Sequence, residues 1–377
     1  MKIKLLFLLF LIGTARSAFT QLPQDVYKKP LKEVLTDIEK KYNIKLEYNE
    51  SLVKGVDVLY PTWRYRVDPE ATLSNILMSL DMVFQKKSDK VYTIAKFEYY
   101  RKPFEEGKRH LDQLLASYPT VQDWELRKAE LRKCFFEQLR LSPLPKKTPL
   151  NPIITPKRMM DGYTVENVAI ETLPGVYLCG SLYRPAKGKG PFPAVLSPHG
   201  HFPSADLNEY GRYRPDQQYR CATLARMGAV ACESGLPIHS CTSLGTNNAE
   251  IAAMASPRPM LVVSETSDWT QTVPTIEFPY LKKVYNLFGK PENVENVHIE
   301  NEEHNYGITK RLAMYDFMAH HLGLNIKAVK DKTGKIDESK CTVEKYDAML
   351  VFGNDGKLPV NAVKGPDAIW KVLRSLQ

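Results

Sequence analysis

The chain has 377 residues, of which 43% are hydrophobic and 25% are charged, a composition typical of folded domains rather than of disordered or fibrous chains. Its net charge of +9 includes no run of five or six basic residues and no interleaved aromatic residues. We therefore interpret the excess charge as a solvated basic face and exclude a nucleic-acid partner. The length accommodates two modest domains, each with its own core.

The first 21 residues predict a signal peptide. Lys2 and Lys4 precede an apolar run at residues 5–12, and small residues follow between positions 15 and 18. The run is too short to span a bilayer of about 30 Å, and no later stretch reaches the necessary length. We expect a periplasmic or secreted protein without a membrane span.

Residues 22–97 predict a small mixed α/β module. Its first helix is indicated by apolar residues at i, i+3, i+4 and i+7, namely Leu31, Val34, Leu35 and Ile38. Alternation at residues 44–48 predicts a strand, residues 73–80 predict a second helix, and residues 84–94 predict a terminal hairpin. The module contains no histidine and is too small to host an obvious active site.

This module resembles the STN module found at the N-terminus of secretins and TonB-dependent receptors. The likeness is carried by LKEVL at 31–35, IKLEY at 44–48 and ATLSNIL at 71–77, with VKGV at 53–56 matching the turn between its halves. The resemblance implies a role in binding a periplasmic protein partner rather than in chemistry.

Residues 98–160 predict a helical and Pro-rich linker, and residues 161–326 predict a second domain of alternating strands and helices. The short apolar runs at residues 194–197 and 260–263 are typical of strands that are covered on both faces. A helix is predicted between Pro274 and Gly289, and a last one ends near residue 322. Residues 327–377 form a C-terminal extension.

Gly200 and His201 follow the first of these buried strands directly. A glycine at a strand exit lets backbone N–H groups face a developing oxyanion, so both residues are candidates for an oxyanion hole. The His199-x-His201 pair also suggests a metal-dependent hydrolase. The metallo-β-lactamase pattern requires Asp two residues beyond the second histidine, where this chain has Pro203, so we predict no metal there.

Asp268 and His304 are the candidate acid and base. Asp268 follows the strand at 260–263, and His304 follows an apparent strand at 297–299 and precedes the last helix. A carboxylate can orient an imidazole and stabilise its charged form, and hydrolases of this type have the chain order nucleophile, acid, histidine. Glu265 is a competing acid, and an ordinary turn cap or a surface histidine is the simpler interpretation of each residue alone.

The nucleophile is not identified. Hydrolases of this type place Ser in a G-x-S-x-G elbow between strand and helix, and the chain contains no such motif. Ser234 is the nearest imitation, but it lacks the glycine two residues earlier and no helix pattern begins after it. We do not assign Ser234 as a working nucleophile.

The six cysteines include no C-x-x-C pair, so they predict neither a zinc site nor a redox motif. Cys232 and Cys241 bracket a short loop, and an oxidising compartment would permit a disulfide between them. The residues call for no cofactor.

The second domain resembles secreted α/β-hydrolases of the acetylxylan-esterase-like group from Bacteroidetes. The likeness covers most of residues 120–360 and is strong over residues 163–202 and in the segments listed next. These are CESGLPIH at 232–239, TNN at 246–248, ASPRPM at 255–260, DWT at 268–270 and EHNYG at 303–307. It implies a carbohydrate ester as substrate, Asp268 as triad acid, His304 as triad base and an oxyanion hole near His201.

The chain departs from this group after residue 231. Where the group continues with a strand, a Gly-rich turn, a helix and the serine elbow, Cys232 follows at once. A βαβ unit takes about 30 residues, so the missing block is on the order of a hundred. We expect a truncated doubly wound α/β-hydrolase sheet with a junction near 231/232, preceded by the STN-like domain, and with apolar faces exposed by the deletion.

The sequence thus predicts an exported relative of serine esterases that is inactive in this form because it lacks the nucleophile. The alternative is a non-catalytic periplasmic protein that binds a partner through the STN-like module.

Overall fold

A computed structural model of the protein describes residues 28–59, 61–97, 103–200, 206–233 and 246–377. The predicted signal peptide and the residues His201, Ser234 and Cys241 lie outside the described residues. The chain divides into two compact units, Met1–Glu98 and Tyr99–Gln377. No helix in the described part of the chain is both long enough and apolar enough to cross a membrane.

The first unit alternates short strands and helices. Its elements are β1 (Lys28–Pro30), α1 (Leu31–Tyr42), β2 (Lys45–Glu47), α2 (Glu50–Val53), β3 (Asp57–Leu59), α3 (Pro61–Arg64), α4 (Pro69–Leu77), β4 (Met82–Ser88) and β5 (Val91–Lys96). β1 pairs antiparallel with β3, and a second sheet has the order β2-β5-β4. The predicted helices, strand and terminal hairpin of this unit are confirmed.

Helix α1 shows why these residues fold locally. It follows Pro30, has Lys40 and Lys41 in its last turn and ends at Asn43, whose φ of 52° is left-handed. All four residues of its predicted apolar face are fully buried in the unit's core. The opposite face is polar, so burial of one stripe accounts for the helix.

The second unit contains the remaining elements. They are α5 (Phe104–Ala116), α6 (Val121–Gln138), β6 (Ile153–Ile154), β7 (Arg158–Met159), β8 (Tyr163–Leu173), β9 (Val176–Pro185), β10 (Ala194–Ser197), α7 (Pro215–Met227), β11 (Val230–Glu233), α8 (Asn248–Ala253), β12 (Met260–Glu265), α9 (Glu277–Leu287), β13 (Val294–Ile299), α10 (Ile308–Leu322) and α11 (Pro366–Leu376). The mixed α/β class is confirmed, as are the helices predicted at α9 and α10.

The described strands of this unit lie in two sheets rather than in one. The larger sheet has the order β10-β11-β9-β8-β6, with β7 also paired to β8. Within it only β10 and β11 run parallel, and the other pairs are antiparallel. The smaller sheet is the parallel pair β12-β13.

Helices α5 and α6, within the stretch that the sequence marked as a linker, contribute to a hydrophobic core with α8, α9, β12 and β13. Trp124 in α6 is fully buried, and its Nε1 donates to Ser256 Oγ at 2.9 Å. The hydroxyls of Tyr118 and Tyr280 lie 2.5 Å apart. These hydrogen bonds satisfy the polar ends of three buried aromatic side chains and fix this part of the chain against α9 and the residues after α8.

Helix α10 connects the two sheets, since it contacts β12 and β13 as well as α7, which packs on the larger sheet. The C-terminal extension is bound to this unit by paired charges. Arg311 of α10 forms a bidentate pair with Glu338, at 2.9 and 2.6 Å, and Arg158 forms another with Glu344, at 2.6 and 2.9 Å.

Strand β10 departs from the prediction that residues 194–197 are covered on both faces. Leu196 is 65% exposed and Ala194 is also exposed, whereas Ser197 is buried. Among the described strands β10 pairs only with β11, so it forms the edge of the larger sheet. The prediction of two covered faces is therefore wrong for β10, because an edge strand lacks the neighbours that cover an interior one.

Two leucines of the second unit test this arrangement. Leu224 in α7 is fully buried. We expect Leu224→Ala to lower the free energy of unfolding by about 2–5 kcal/mol, the cost of a core cavity. We expect Leu196→Ala to change it by less than about 0.5 kcal/mol. Urea unfolding of the second unit, followed by fluorescence, measures both values. An equal loss for the two variants would show that Leu196 is covered in solution.

Candidate active site

The candidate acid and base are brought together by the parallel strands β12 and β13. Their pairing runs in register from Met260 opposite Val294 to Glu265 opposite Ile299, so both strands end at the same edge of the sheet. Asp268 lies three residues beyond β12, and His304 lies five residues beyond β13. His304 Nδ1 lies 3.0 Å from Asp268 Oδ2, which is hydrogen-bond distance.

The Asp268 carboxylate is held in place by its own loop. Its side chain is 4% exposed, and its Oδ1 accepts hydrogen bonds from both the backbone N and the Oγ1 of Thr270, each at 2.5 Å. Burial alone would raise the pKa of Asp268. The hydrogen bonds from Thr270 and the contact with His304 outweigh burial and hold that pKa below its usual value. Asp268 is therefore a carboxylate at neutral pH.

The His304 ring has one engaged nitrogen and one exposed face. Because an ionised carboxylate only accepts hydrogen bonds, the contact with Asp268 places the hydrogen of the neutral ring on Nδ1. Nε2 then carries the lone pair that a general base uses. The side chain is 57% exposed, and its ring packs at 4.5 Å between centroids against the exposed Trp269.

Glu265, the competing acid, is engaged elsewhere. Its Oε1 lies 3.6 Å from His304 Nδ1, beyond ordinary hydrogen-bond range, whereas its Oε2 forms a buried ion pair with Lys310. Both side chains are 5% exposed. The geometry therefore favours Asp268 over Glu265 as the partner of His304.

Within the described residues, Glu265, Asp268 and His304 bring possible ligand atoms within 4.8 Å of one another. Lys310 already neutralises Glu265, and Thr270 occupies one oxygen of Asp268. A divalent cation would have to displace the buried ammonium, so the donor set does not fit a metal site.

Of the two candidates for the oxyanion hole, Gly200 lies in an exposed turn three residues beyond β10, and His201 is outside the described residues. The neighbouring His199 ring packs on Gly211, where a Cβ would approach to 2.9 Å and φ is +51°. Burial lowers the pKa of His199, and the charges of Arg212 and Arg220 lower it further. His199 Nδ1 faces the Gly200 carbonyl at 2.8 Å, so it donates to its own turn.

Arg220 lies close to the residues after β10 and to the His304 loop. Its guanidinium packs 4.7 Å above the ring of Tyr306, two residues beyond His304, and its charge acts on His199. Residues 234–245, which follow β11 and include Ser234, lie outside the described residues. The candidate acid, the candidate base and Gly200 can therefore be placed, and Ser234 cannot.

Three residues of this site were missed by sequence reasoning. Asp268-x-Thr270 is a signature of a side-chain-capped turn, so Thr270 was detectable as the group that holds the acid. Trp269 lies in the DWT segment that carries the resemblance, but no role was assigned to it, and Lys310 had no usable signal because lysine is normally a surface residue.

Comparison with solved structures identifies a close relative. The methylesterase BT1017 is 32% identical over an alignment that covers 95% of this chain and 98% of that chain, with a TM-score of 0.64. A protein from Bacteroides fragilis NCTC 9343, provisionally assigned as an acetyl xylan esterase, is 12% identical over 59% of this chain and 86% of that one, with a TM-score of 0.36. No family model and no curated protein matches the chain.

The environment of Asp268 predicts a pH-dependent contribution to stability. Its folded pKa is depressed, so the stabilisation is present above the unfolded pKa of about 3.9 and is lost as the pH falls through the folded pKa. At pH 7 we expect Asp268→Asn to lower the free energy of unfolding by about 1–3 kcal/mol, the value of charged hydrogen bonds. The difference from wild type should shrink at pH 3.

Urea unfolding at both pH values measures this effect, and Asp355→Asn, at an exposed aspartate of the same unit, is the matched control. A deficit for Asp268→Asn that is equally large at both pH values would contradict the assignment of the stabilisation to the ionised carboxylate.

Proposed function

The chain belongs to the family of the methylesterase BT1017, and we propose that its second unit carries the acid–base half of an ester-hydrolase centre. His304 is the base and Asp268 is the acid that orients it. The observation that carries this proposal is the 3.0 Å contact between His304 Nδ1 and a nearly buried, ionised Asp268, which leaves Nε2 as the basic nitrogen.

In the complete reaction, Nε2 of His304 takes a proton from the attacking hydroxyl and later returns it to the leaving alcohol. The imidazolium formed in between is stabilised by Asp268. Backbone N–H groups near Gly200 and His201 stabilise the tetrahedral oxyanion. We propose a methyl ester on a carbohydrate as the substrate, since the relative is a methylesterase and the sequence resembles carbohydrate esterases. Hydrolysis would release methanol and leave a carboxylate.

We further propose that this form cannot make an acyl-enzyme, because the strand and elbow that would supply the nucleophile are deleted near residue 231/232. Two features support the deletion. Strand β10 has a second edge that pairs with no described strand, and Leu196 on it is 65% exposed. The parallel pair β12-β13 is separate from the larger sheet, as expected if the strands that join them are missing.

Fluorophosphonate labelling of the chain from residue 22, read by intact mass, tests the missing nucleophile. We expect no adduct on a folded sample, because a serine without an aligned base is a weak nucleophile. His304→Ala and the exposed His320→Ala are the matched variants. A stoichiometric adduct that persists in His320→Ala and disappears in His304→Ala would contradict the proposal, and Ser234 would be the first serine to map.

The second candidate function belongs to the first unit. We propose that it is an STN-like module that binds a protein partner in the periplasm, reached through the signal at residues 1–21. The supporting observation is that this unit has a complete core of its own, with fully buried residues on α1 and α4, and no cluster of catalytic side chains among its described residues.

Site-specific photocrosslinking in the periplasm tests this second candidate. A photoreactive residue at Asp89, in the exposed turn between β4 and β5, should give one discrete crosslinked protein that mass spectrometry identifies. The matched position is Asp355, exposed on the second unit. The same crosslinks from both positions, or none from a series of exposed positions on the first unit, would contradict a dedicated partner-binding module.

A further inference from the structure

Lys310 lies in the first turn of α10 and is buried, with its side chain only 5% exposed. Burial lowers the pKa of this lysine. Burying an ammonium group costs free energy unless each of its N–H groups has an acceptor. The contacts around Lys310 must therefore supply these acceptors.

The ammonium of Lys310 has three acceptors. Its Nζ donates to the backbone carbonyl of Glu303 at 2.6 Å and to that of Asn305 at 3.1 Å, and it forms the ion pair with Glu265. A fourth group, the Glu302 carboxylate, lies 3.9 Å away. The two carbonyls flank His304 in the sequence, so one side chain holds the backbone on both sides of the candidate base.

We propose that Lys310 is a positioning residue that fixes the His304 loop, so that His304 Nδ1 pairs with Asp268. The inference rests on the proposed roles of His304 and Asp268. It concerns the geometry of the pair, so it can be tested without turnover.

The distances show why such a residue is needed. His304 Nδ1 lies 3.0 Å from Asp268, whereas its side chain is 57% exposed, so the loop backbone rather than surrounding side chains must hold the ring at this distance. Outer contacts of this kind orient a reacting histidine by fixing its ring and its tautomer.

The test is the tautomer of the His304 ring, measured by long-range ¹H–¹⁵N correlation above the histidine pKa, with His304→Ala to assign the signals. The wild-type ring should carry its hydrogen on Nδ1. In Lys310→Met, which keeps most of the aliphatic stem, we expect the Nδ1–H population to fall by at least about twofold, because the released loop moves Nδ1 out of hydrogen-bond range of the carboxylates. Lys282→Met is the matched control, since Lys282 donates at 2.7 Å to the Pro291 carbonyl, outside the site.

The double variant Lys310→Met/Glu265→Leu separates positioning from charge compensation and remains informative if Lys310→Met fails to fold. Replacing a buried ion pair by apolar groups restores stability in general, whereas removing one partner does not. We expect the double variant to melt near wild type and still to lack the Nδ1–H tautomer.

A wild-type tautomer in the folded Lys310→Met variant or in the double variant would overturn the proposal. In the second case Lys310 would serve only to neutralise Glu265. A wild-type ring without the Nδ1–H tautomer would instead refute the acid–base pair itself, so the two failures are distinguishable.

Discussion

The parallel pairing of β12 with β13 is the constraint on which the candidate site depends. Parallel strands in register end at one edge, and the loops that follow them must therefore meet there. This pairing delivers Asp268 and His304 from positions 36 residues apart to a 3.0 Å contact. Helix α10 begins directly after the His304 loop and packs on both strands, so His304 is held between a strand end and a helix start.

Two buried, positively charged residues of α10 fix the loop that carries His304. On α10, Lys310 binds the carbonyls beside His304, while Arg311 donates at 2.7 Å to the Tyr306 carbonyl and pairs with Glu338 of the C-terminal extension. Each charge is matched by hydrogen-bonding partners, which is the condition for keeping ions inside a protein. The loop of the base is therefore fixed by two successive residues of one helix, and the extension is part of its support.

The helices and strands were largely predictable, because each depends on a pattern within a short stretch of sequence. The stripe on α1 and the strand runs at β12 and β10 follow from periodicity in short windows. The meeting of Asp268 and His304 was also predictable, because it needs only the rule that adjacent parallel strands share an edge. The exposure of Leu196 was not predicted, because a short apolar run does not indicate whether its strand lies in the interior or at the edge of a sheet.

Lys310 shows a different limit of prediction from sequence. A lysine inside a helical pattern predicts a solvent-exposed side chain, and nothing in its neighbours in sequence indicates that two backbone carbonyls and a glutamate will surround it. Those acceptors come from the loop before α10 and from the end of β12. Their convergence is a property of tertiary packing, so it becomes visible only when the strands and the helix are placed.

The same geometry explains how the proposed acid–base pair is compatible with the proposed loss of the nucleophile. Asp268, His304 and Lys310 all depend on β12, β13 and α10, which lie within one stretch of the chain after residue 260, with α9 between the two strands, and pack on one another. The proposed deletion near residue 231/232 falls within β11, ahead of this block, and removes no contact within it. The cost of the proposed deletion falls instead on β10, whose apolar Leu196 is exposed at an edge that no described strand pairs with. The proposed loss of the nucleophile and the proposed retention of the acid–base pair are thus separable, because the two halves of the candidate site belong to different sheets.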